Sequence, residues 1–164
     1  MKINLGCGNN LLEGYINIDS NLGNFDAKNY QYWLVNALHI DQWFLSNSVE
    51  EVISSHFFEH LTHTEITELL FKIHGILKPK GKITTVVPNF HKLINRVIED
   101  TGSGHYENIE LFNFKIFSTE NETVHKSIWS ESIGVWYLTR EDLYEEVMVE
   151  HPSKFEIKFT AIKK

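Results

Sequence analysis

Two imidazoles and a carboxylate fall within five residues at His56-Phe57-Phe58-Glu59-His60, and such groups bind metal ions or move protons. His-x-x-Glu-His is a zinc-hydrolase pattern when a helix holds both histidines on one face and the glutamate acts as base. Here the context opposes that arrangement. The block follows an apolar, strand-like run from Ser48 to Ser55, and helix signals begin only at Thr62. A metal-dependent hydrolase built on His56, Glu59 and His60 is therefore the alternative enzyme class. A second set of residues points to ligand binding. The apolar run Ile3-Asn4-Leu5 stops at Gly6-Cys7-Gly8, and a second run, Tyr15-Ile16-Asn17-Ile18, ends in Asp19. Glycine permits positive φ and close backbone approach, so two strand ends present a glycine loop beside a carboxylate able to accept from ribose hydroxyls. A dinucleotide fingerprint needs a third glycine and an acid about 20 residues on. Position 11 is Leu11 and Asp19 follows Gly8 by only eleven residues, so pyrophosphate binding is disfavoured.

The elements that must position these groups alternate between strands and helices. Tyr32 to Val35 reads as a third strand ending at Asn36-Ala37, and Ser48 to Ser55 as a fourth. Thr62 and Glu65 form a capping-box pair. Behind them Ile66, Leu69, Leu70, Ile73, Ile76 and Leu77 recur at three- and four-residue steps, one apolar helical stripe. Lys78-Pro79-Lys80-Gly81 stops that helix, and Lys82 to Val87 is a fifth strand closed by Pro88. Six residues separate Gly8 from Tyr15, too few for an ordinary crossover helix, so the first helix shrinks to about one turn. Phe90 to Asp100 is helical. Leu138-Thr139 and Asp142-Leu143 carry capping and staple signals for a helix to about Val149, and Phe155 to Ala161 alternates as a sixth strand.

The ordered set Leu5-Gly6-Cys7-Gly8, Tyr15 to Asp19, Ser55 to Leu61, Ile76 to Lys82 and Val87-Pro88-Asn89 resembles the class I S-adenosylmethionine-dependent methyltransferases, in particular the small type-11-like ones. The resemblance implies a Rossmann-like three-layer α/β sandwich with a doubly wound, mostly parallel sheet, here lacking one of seven strands. The open edge is then covered or used in a homodimer. It implies an S-adenosyl-L-methionine site at Leu5, Gly6, Cys7, Gly8, Asp19, Asn36, Ala37 and His56. Asn36 stands where the family often carries an acid that reaches the adenine amino group. His56, Glu59 and His60 then lie where the methyl is transferred, and because imidazole titrates near ~6.5, His60 suits a general base. Metal-dependent relatives carry Glu-x-x-Glu-His at this point. By that resemblance His56, Glu59, His60 and His125 together form a ligand set for a divalent ion, against the simpler role of bonding the loop. In this fold the region after the fifth strand commonly covers the acceptor, a role that falls to 101–137. The acceptor is a small molecule or saccharide-like.

Composition sets the outer bounds. At 164 residues, with 42% hydrophobic and 13% aromatic content, the chain reads as one globular domain, 1–164. No apolar run approaches the ~20 residues of a membrane span, and Met1-Lys2-Ile3-Asn4 lacks a signal-peptide h-region, so the expected location is cytoplasmic. The single cysteine, Cys7, fits a reducing compartment and a packing role. A net charge of −7 opposes binding of nucleic acid. His63 and His74, on the flank of the helix, read as solvated. A non-catalytic relative that serves as an interaction subunit is the third reading, favoured by the short first crossover and Asn36.

Overall fold

The computed structural model describes residues 1–21, 23, 28–102 and 125–164. Among them, seven strands form one sheet: β1 (Lys2–Leu5), β2 (Ile16–Asp19), β3 (Gln31–Leu34), β4 (Val49–Ser55), β5 (Leu77–Pro88), β6 (Tyr144–Glu150) and β7 (Glu156–Lys163). Their order is β3-β2-β1-β4-β5-β7-β6. The first five run parallel, and β7 is antiparallel to both neighbours, β5 and β6. Strand order reverses between β1 and β4, so the ends of those strands open the crevice in which such sheets bind ligands.

Burial explains the strands. Ile3, Leu5, Ile18, Val52, Ile83, Val87, Ile157 and Phe159 are each at most 1% exposed, as expected for strands covered on both faces. Helix α1 (His63–Ile76) starts at Thr62, whose side chain accepts from the Glu65 N–H while Glu65 accepts from the Thr62 N–H, the full capping box. Its stripe of Ile66, Leu69, Leu70, Ile73 and Ile76 is buried.

The first crossover has no helix at all. Two buried asparagines replace it. Asn4 Nδ2 donates to Asn17 Oδ1 at 2.8 Å and to the Asn10 carbonyl at 2.7 Å. Asn17 in turn accepts from the Leu12 N–H at 2.8 Å and donates to the carbonyls of Leu12 and Gln31, both at 3.1 Å. The loop's polar backbone is satisfied from inside the sheet, which removes the need for a helix to do it. The expected single helical turn is corrected accordingly.

The C-terminal third differs most from expectation. Helix α2 (Phe90–Gly102) forms as expected, but the helix expected from Thr139 to Val149 does not. Instead α3 (Glu131–Thr139) ends there, and Glu141 and Asp142 adopt left-handed φ of 60° and 57°, which no helix can pass through. The chain then enters β6, whose Val147-Met148-Val149 alternates beside β7. β6 is the seventh strand thought to be missing. Among the described residues the edges are therefore β3 and β6, and the premise for a dimer through a missing strand is removed. β6 carries a register shift between Glu145 and Met148 and a left-handed Glu146, features that oppose edge-to-edge pairing.

Of the expected cover, 103–124 lies outside the described residues. Within 125–137, Trp129 and Tyr137 belong to the core, 2% and 6% exposed. Helix α3 packs so tightly on β7 that a Cβ at Gly134 would lie 2.1 Å from the Phe159 ring. No helix among the described residues is long and apolar enough to cross a membrane.

Candidate functional site

At the carboxyl ends of β1, β2 and β4 lies a cavity of about 440 Å³. Gly6 and Gly8, both with positive φ, form one wall. Asp19 braces them: its Oδ2 accepts from the Gly8 N–H at 2.8 Å and its Oδ1 from the Asn21 N–H at 2.9 Å. Each carboxylate oxygen keeps further acceptor capacity toward the cavity. Asn36, Ala37 and Leu38 form the opposite side. Asn36 Oδ1 already accepts from the Leu38 N–H at 2.9 Å and caps the 3-10 turn Ala37–Gln42. An adenine amino group would have to use its second lone pair, a narrower role than the one expected.

Leu5 and Cys7 belong to the core rather than to the cavity wall. Leu5 is 0% and Cys7 5% exposed, and neither side chain lines the cavity. Burial, with the nearby Asp19 charge adding to it, pushes the Cys7 thiol up to about 12, so it is inert as a nucleophile.

Phe57, which the sequence did not flag, lies across the glycine loop. A Cβ at Gly6 would sit 2.2 Å from the Phe57 ring, and Gly6 has φ +63°. Gly6→Ala therefore meets both backbone strain and overpacking. The expected loss is about 2–4 kcal/mol of stability, measured by urea unfolding, and a loss under about 0.5 kcal/mol would contradict this packing.

The histidine block divides into two groups. His56 has a left-handed φ of 53° and its N–H donates to the Val86 carbonyl at 2.9 Å. Its ring bridges two carboxylates, with Nδ1 at 3.1 Å from Glu59 and Nε2 at 2.8 Å from Glu156 on β7. The hydrogen bond to Glu59, outweighing burial, and that to Glu156 raise its pKa to about 9. With both ring nitrogens engaged by carboxylates, His56 has no nitrogen free for a substrate proton or a metal ion in this arrangement, unlike the two roles expected of it. The arrangement also excludes the hydrolase geometry, because the two histidines of His-x-x-Glu-His do not share a helix face. The ordinary histidine value is 6.5. The pair's contribution to stability is therefore fully present below about pH 6.5 and is lost as pH rises through about 9. The melting-temperature gap between wild type and His56→Gln should narrow across that window, and a constant gap would contradict the bridge.

Glu59, His60 and His125 form the second group. The short 3-10 turn Phe58–His60 buries Glu59 to 1% exposure. His125, 66 residues beyond Glu59 in sequence, is brought there by backbone bonds: the N–H groups of Lys126 and Ser127 both donate to the Glu59 carbonyl, at 2.7 and 3.1 Å. The His60 and His125 rings meet edge to face with centroids 4.8 Å apart. Burial holds the His125 pKa below its ordinary value, against the pull of Glu59, so the ring is neutral near neutral pH and able to accept a proton. Glu59 Oε2 and His60 Nδ1 are buried and have no hydrogen-bond partner among the described residues.

His63 and His74 are not simply solvated. His63 Nδ1 lies 2.9 Å from the Tyr137 hydroxyl and its ring stacks on Trp136. His74 meets the Tyr144 ring edge-on. Both tie α1 to the C-terminal elements.

No family model and no curated protein matches the sequence at a significant level. Solved structures do match the fold. A SAM-dependent methyltransferase of Archaeoglobus fulgidus aligns with TM-score 0.68 at 16% identity, over 99% of this chain and 85% of that one. The chain shares the S-adenosylmethionine-dependent methyltransferase fold. A protein of Pyrococcus horikoshii OT3 aligns with TM-score 0.71 at 16% identity, over 99% of this chain and 81% of that one. The 1,6-didemethyltoxoflavin-N1-methyltransferase of Burkholderia thailandensis, solved with 1,6-didemethyltoxoflavin and S-adenosylhomocysteine bound, aligns with TM-score 0.67 at 11% identity, over 99% and 70%. At such identities the likeness to the methyltransferase fold is one of architecture, and the chemistry must be argued from this chain's own residues.

Proposed function

We propose that this protein transfers a methyl group from S-adenosylmethionine to a small molecule. The observation that carries the reading is the convergence of the glycine loop, Asp19 and Asn36–Leu38 on one cavity at the carboxyl edge of a methyltransferase-type sheet. In this reading Asp19 accepts from the ribose hydroxyls, the Ala37–Leu38 backbone borders the adenine, and the sulfonium methyl points toward His60. Transfer then depends on alignment of acceptor, methyl and sulfur, and a protic acceptor also gives up a proton. His60, with the neutral His125 against it, supplies the proton acceptor. The small-molecule acceptor bound in the Burkholderia neighbour supports an acceptor of that size. Calorimetric titration tests the reading: S-adenosylmethionine and S-adenosylhomocysteine bind and NAD⁺ does not. Binding of NAD⁺ alone would refute it.

A second reading of the same site has one specific observation behind it. Ligand atoms of Glu59, His60 and His125 lie within 4.8 Å of one another, and two of these groups carry buried atoms without partners. Two imidazoles and a carboxylate suit a first-row divalent ion. Ligands about 2.1 Å from one ion sit at most ~4.2 Å apart, so the three would close slightly to hold it. His56 stays outside the set. A bound ion would supply Lewis-acid activation of the acceptor. Chelation followed by Mn²⁺ or Zn²⁺ titration, read by calorimetry on the protein alone, tests it: one stoichiometric site lost in Glu59→Ala supports the ion, and no heat of binding excludes it.

A further inference from the structure

Beyond Glu59, away from the glycine loop, a second cavity of about 250 Å³ opens. Glu59 and His125 line this cavity, His60 lines the first, and Lys126 lines both, so the two spaces adjoin at the Glu59–His60–His125 cluster. Pro88, Phe90 and Trp129 supply its apolar walls. We propose that this cavity is the acceptor pocket and that it takes a planar, ring-bearing small molecule presenting an O–H or N–H to Glu59. The proposal rests on the methyltransferase reading and names its substrate class.

Three observations support it. First, the walls are aromatic and apolar on two elements that are locked together, since the Phe90 N–H donates to the Trp129 carbonyl at 3.0 Å. A flat ring gains most from such walls. Second, the polar side chains among the described lining residues are Glu59, His125, Lys126 and Ser127. Ser127 Oγ is already used, donating to the Phe58 carbonyl at 3.1 Å and accepting from Trp129 Nε1 at 3.0 Å. That leaves Glu59, His125 and Lys126 to satisfy the several hydroxyls of a saccharide, where a ring with one O–H or N–H needs only one of them. Third, Glu59, which lines the cavity, carries one unmet acceptor atom. Glu59 Oε1 is held by His56, while Oε2 is buried with no partner among the described residues. A buried carboxylate oxygen without a donor is costly, and an acceptor hydroxyl or amine resolves it. In the transfer, the acceptor oxygen or nitrogen bonds to the methyl carbon. The carbon–sulfur bond breaks with its electron pair passing to sulfur, which leaves neutral S-adenosylhomocysteine. The acceptor's proton is taken up within the Glu59–His60–His125 cluster, where His60 is the proton acceptor.

The experiment uses the full chain saturated with S-adenosylhomocysteine, whose binding is checked first by calorimetry. Fluorine NMR then follows 4-fluorophenol, and saturation-transfer NMR follows methyl α-D-glucopyranoside. The expected result is binding of the phenol and not of the glucoside. The phenol should weaken by at least about tenfold in Glu59→Gln, and also in Ile128→Trp, which fills the pocket from a half-exposed position. Both variants should keep their affinity for S-adenosylhomocysteine. Binding of the glucoside, absence of phenol binding, or phenol binding unchanged in Ile128→Trp would overturn the acceptor assignment while leaving the cofactor site intact. Failure of S-adenosylhomocysteine itself to bind would overturn both.

Discussion

S-adenosylhomocysteine at 100 times its dissociation constant should raise the melting temperature by roughly 5 to 11 °C. Ligand binding at that ratio adds about 2.7 kcal/mol to the folded state, and a chain of 164 residues gains roughly 2–4 °C per kcal/mol. Asp19→Ala should shrink the rise, because it removes both the proposed ribose acceptor and the brace on the Gly8 and Asn21 N–H groups. The variant will also melt lower without ligand, so the quantity to compare is the ligand-induced rise in each protein. An Asp19→Ala rise equal to that of wild type would remove Asp19 from the cofactor site.

The second large effect concerns turnover. His60→Ala and His125→Ala should each lower kcat by about 10²- to 10⁴-fold with a phenolic acceptor, with S-adenosylhomocysteine affinity close to wild type. Because the rings touch, with centroids 4.8 Å apart, the double variant should be little worse than the poorer single one, the behaviour of groups that act as a unit. A purely structural role gives another pattern, in which stability and cofactor affinity fall together in both variants. If His60→Ala is stable and fully active, His60 does not act in the chemical step, and the same outcome for His125→Ala removes His125.

Local signals in the sequence identify the glycine loop, the carboxylate at Asp19 and the start of α1, because a strand end, a tight turn and a capping box are each decided within a few residues. The stripe from Ile66 to Ile76 is legible for the same reason. Tertiary pairing decides the parts that differ. Leu138-Thr139 and Asp142-Leu143 carry the local marks of a helix start, yet Met148-Val149-Glu150 pairs with β7, and the left-handed Glu141 and Asp142 make the break. Helix α3 is hard to read because apolar side chains surround it, with Tyr137 and Leu138 buried and Trp136 half-exposed.

The site divides along the same line. His56, Glu59 and His60 are adjacent in sequence, so their meeting is legible, but their division into a bridge and a separate cluster is not. Glu156 engages His56 from 100 residues away, and His125 reaches Glu59 through two backbone bonds. Nothing local announces either partner. In the sequence Phe57 is one more apolar residue of the block, and only the backbone of Gly6 beneath it reveals its position. Asn4 and Asn17 carried a faint signal, polar residues at the buried centres of two strands, and they stand in for the missing crossover helix.

A crystal structure of the protein grown with saturating S-adenosylhomocysteine tests the central claim most directly. The account predicts ligand density in the cavity of about 440 Å³, with the ribose hydroxyls against Asp19, the adenine beside Ala37 and Leu38, and the sulfur directed toward His60. Density for the ligand elsewhere, or an empty cavity at saturating concentration, would contradict it.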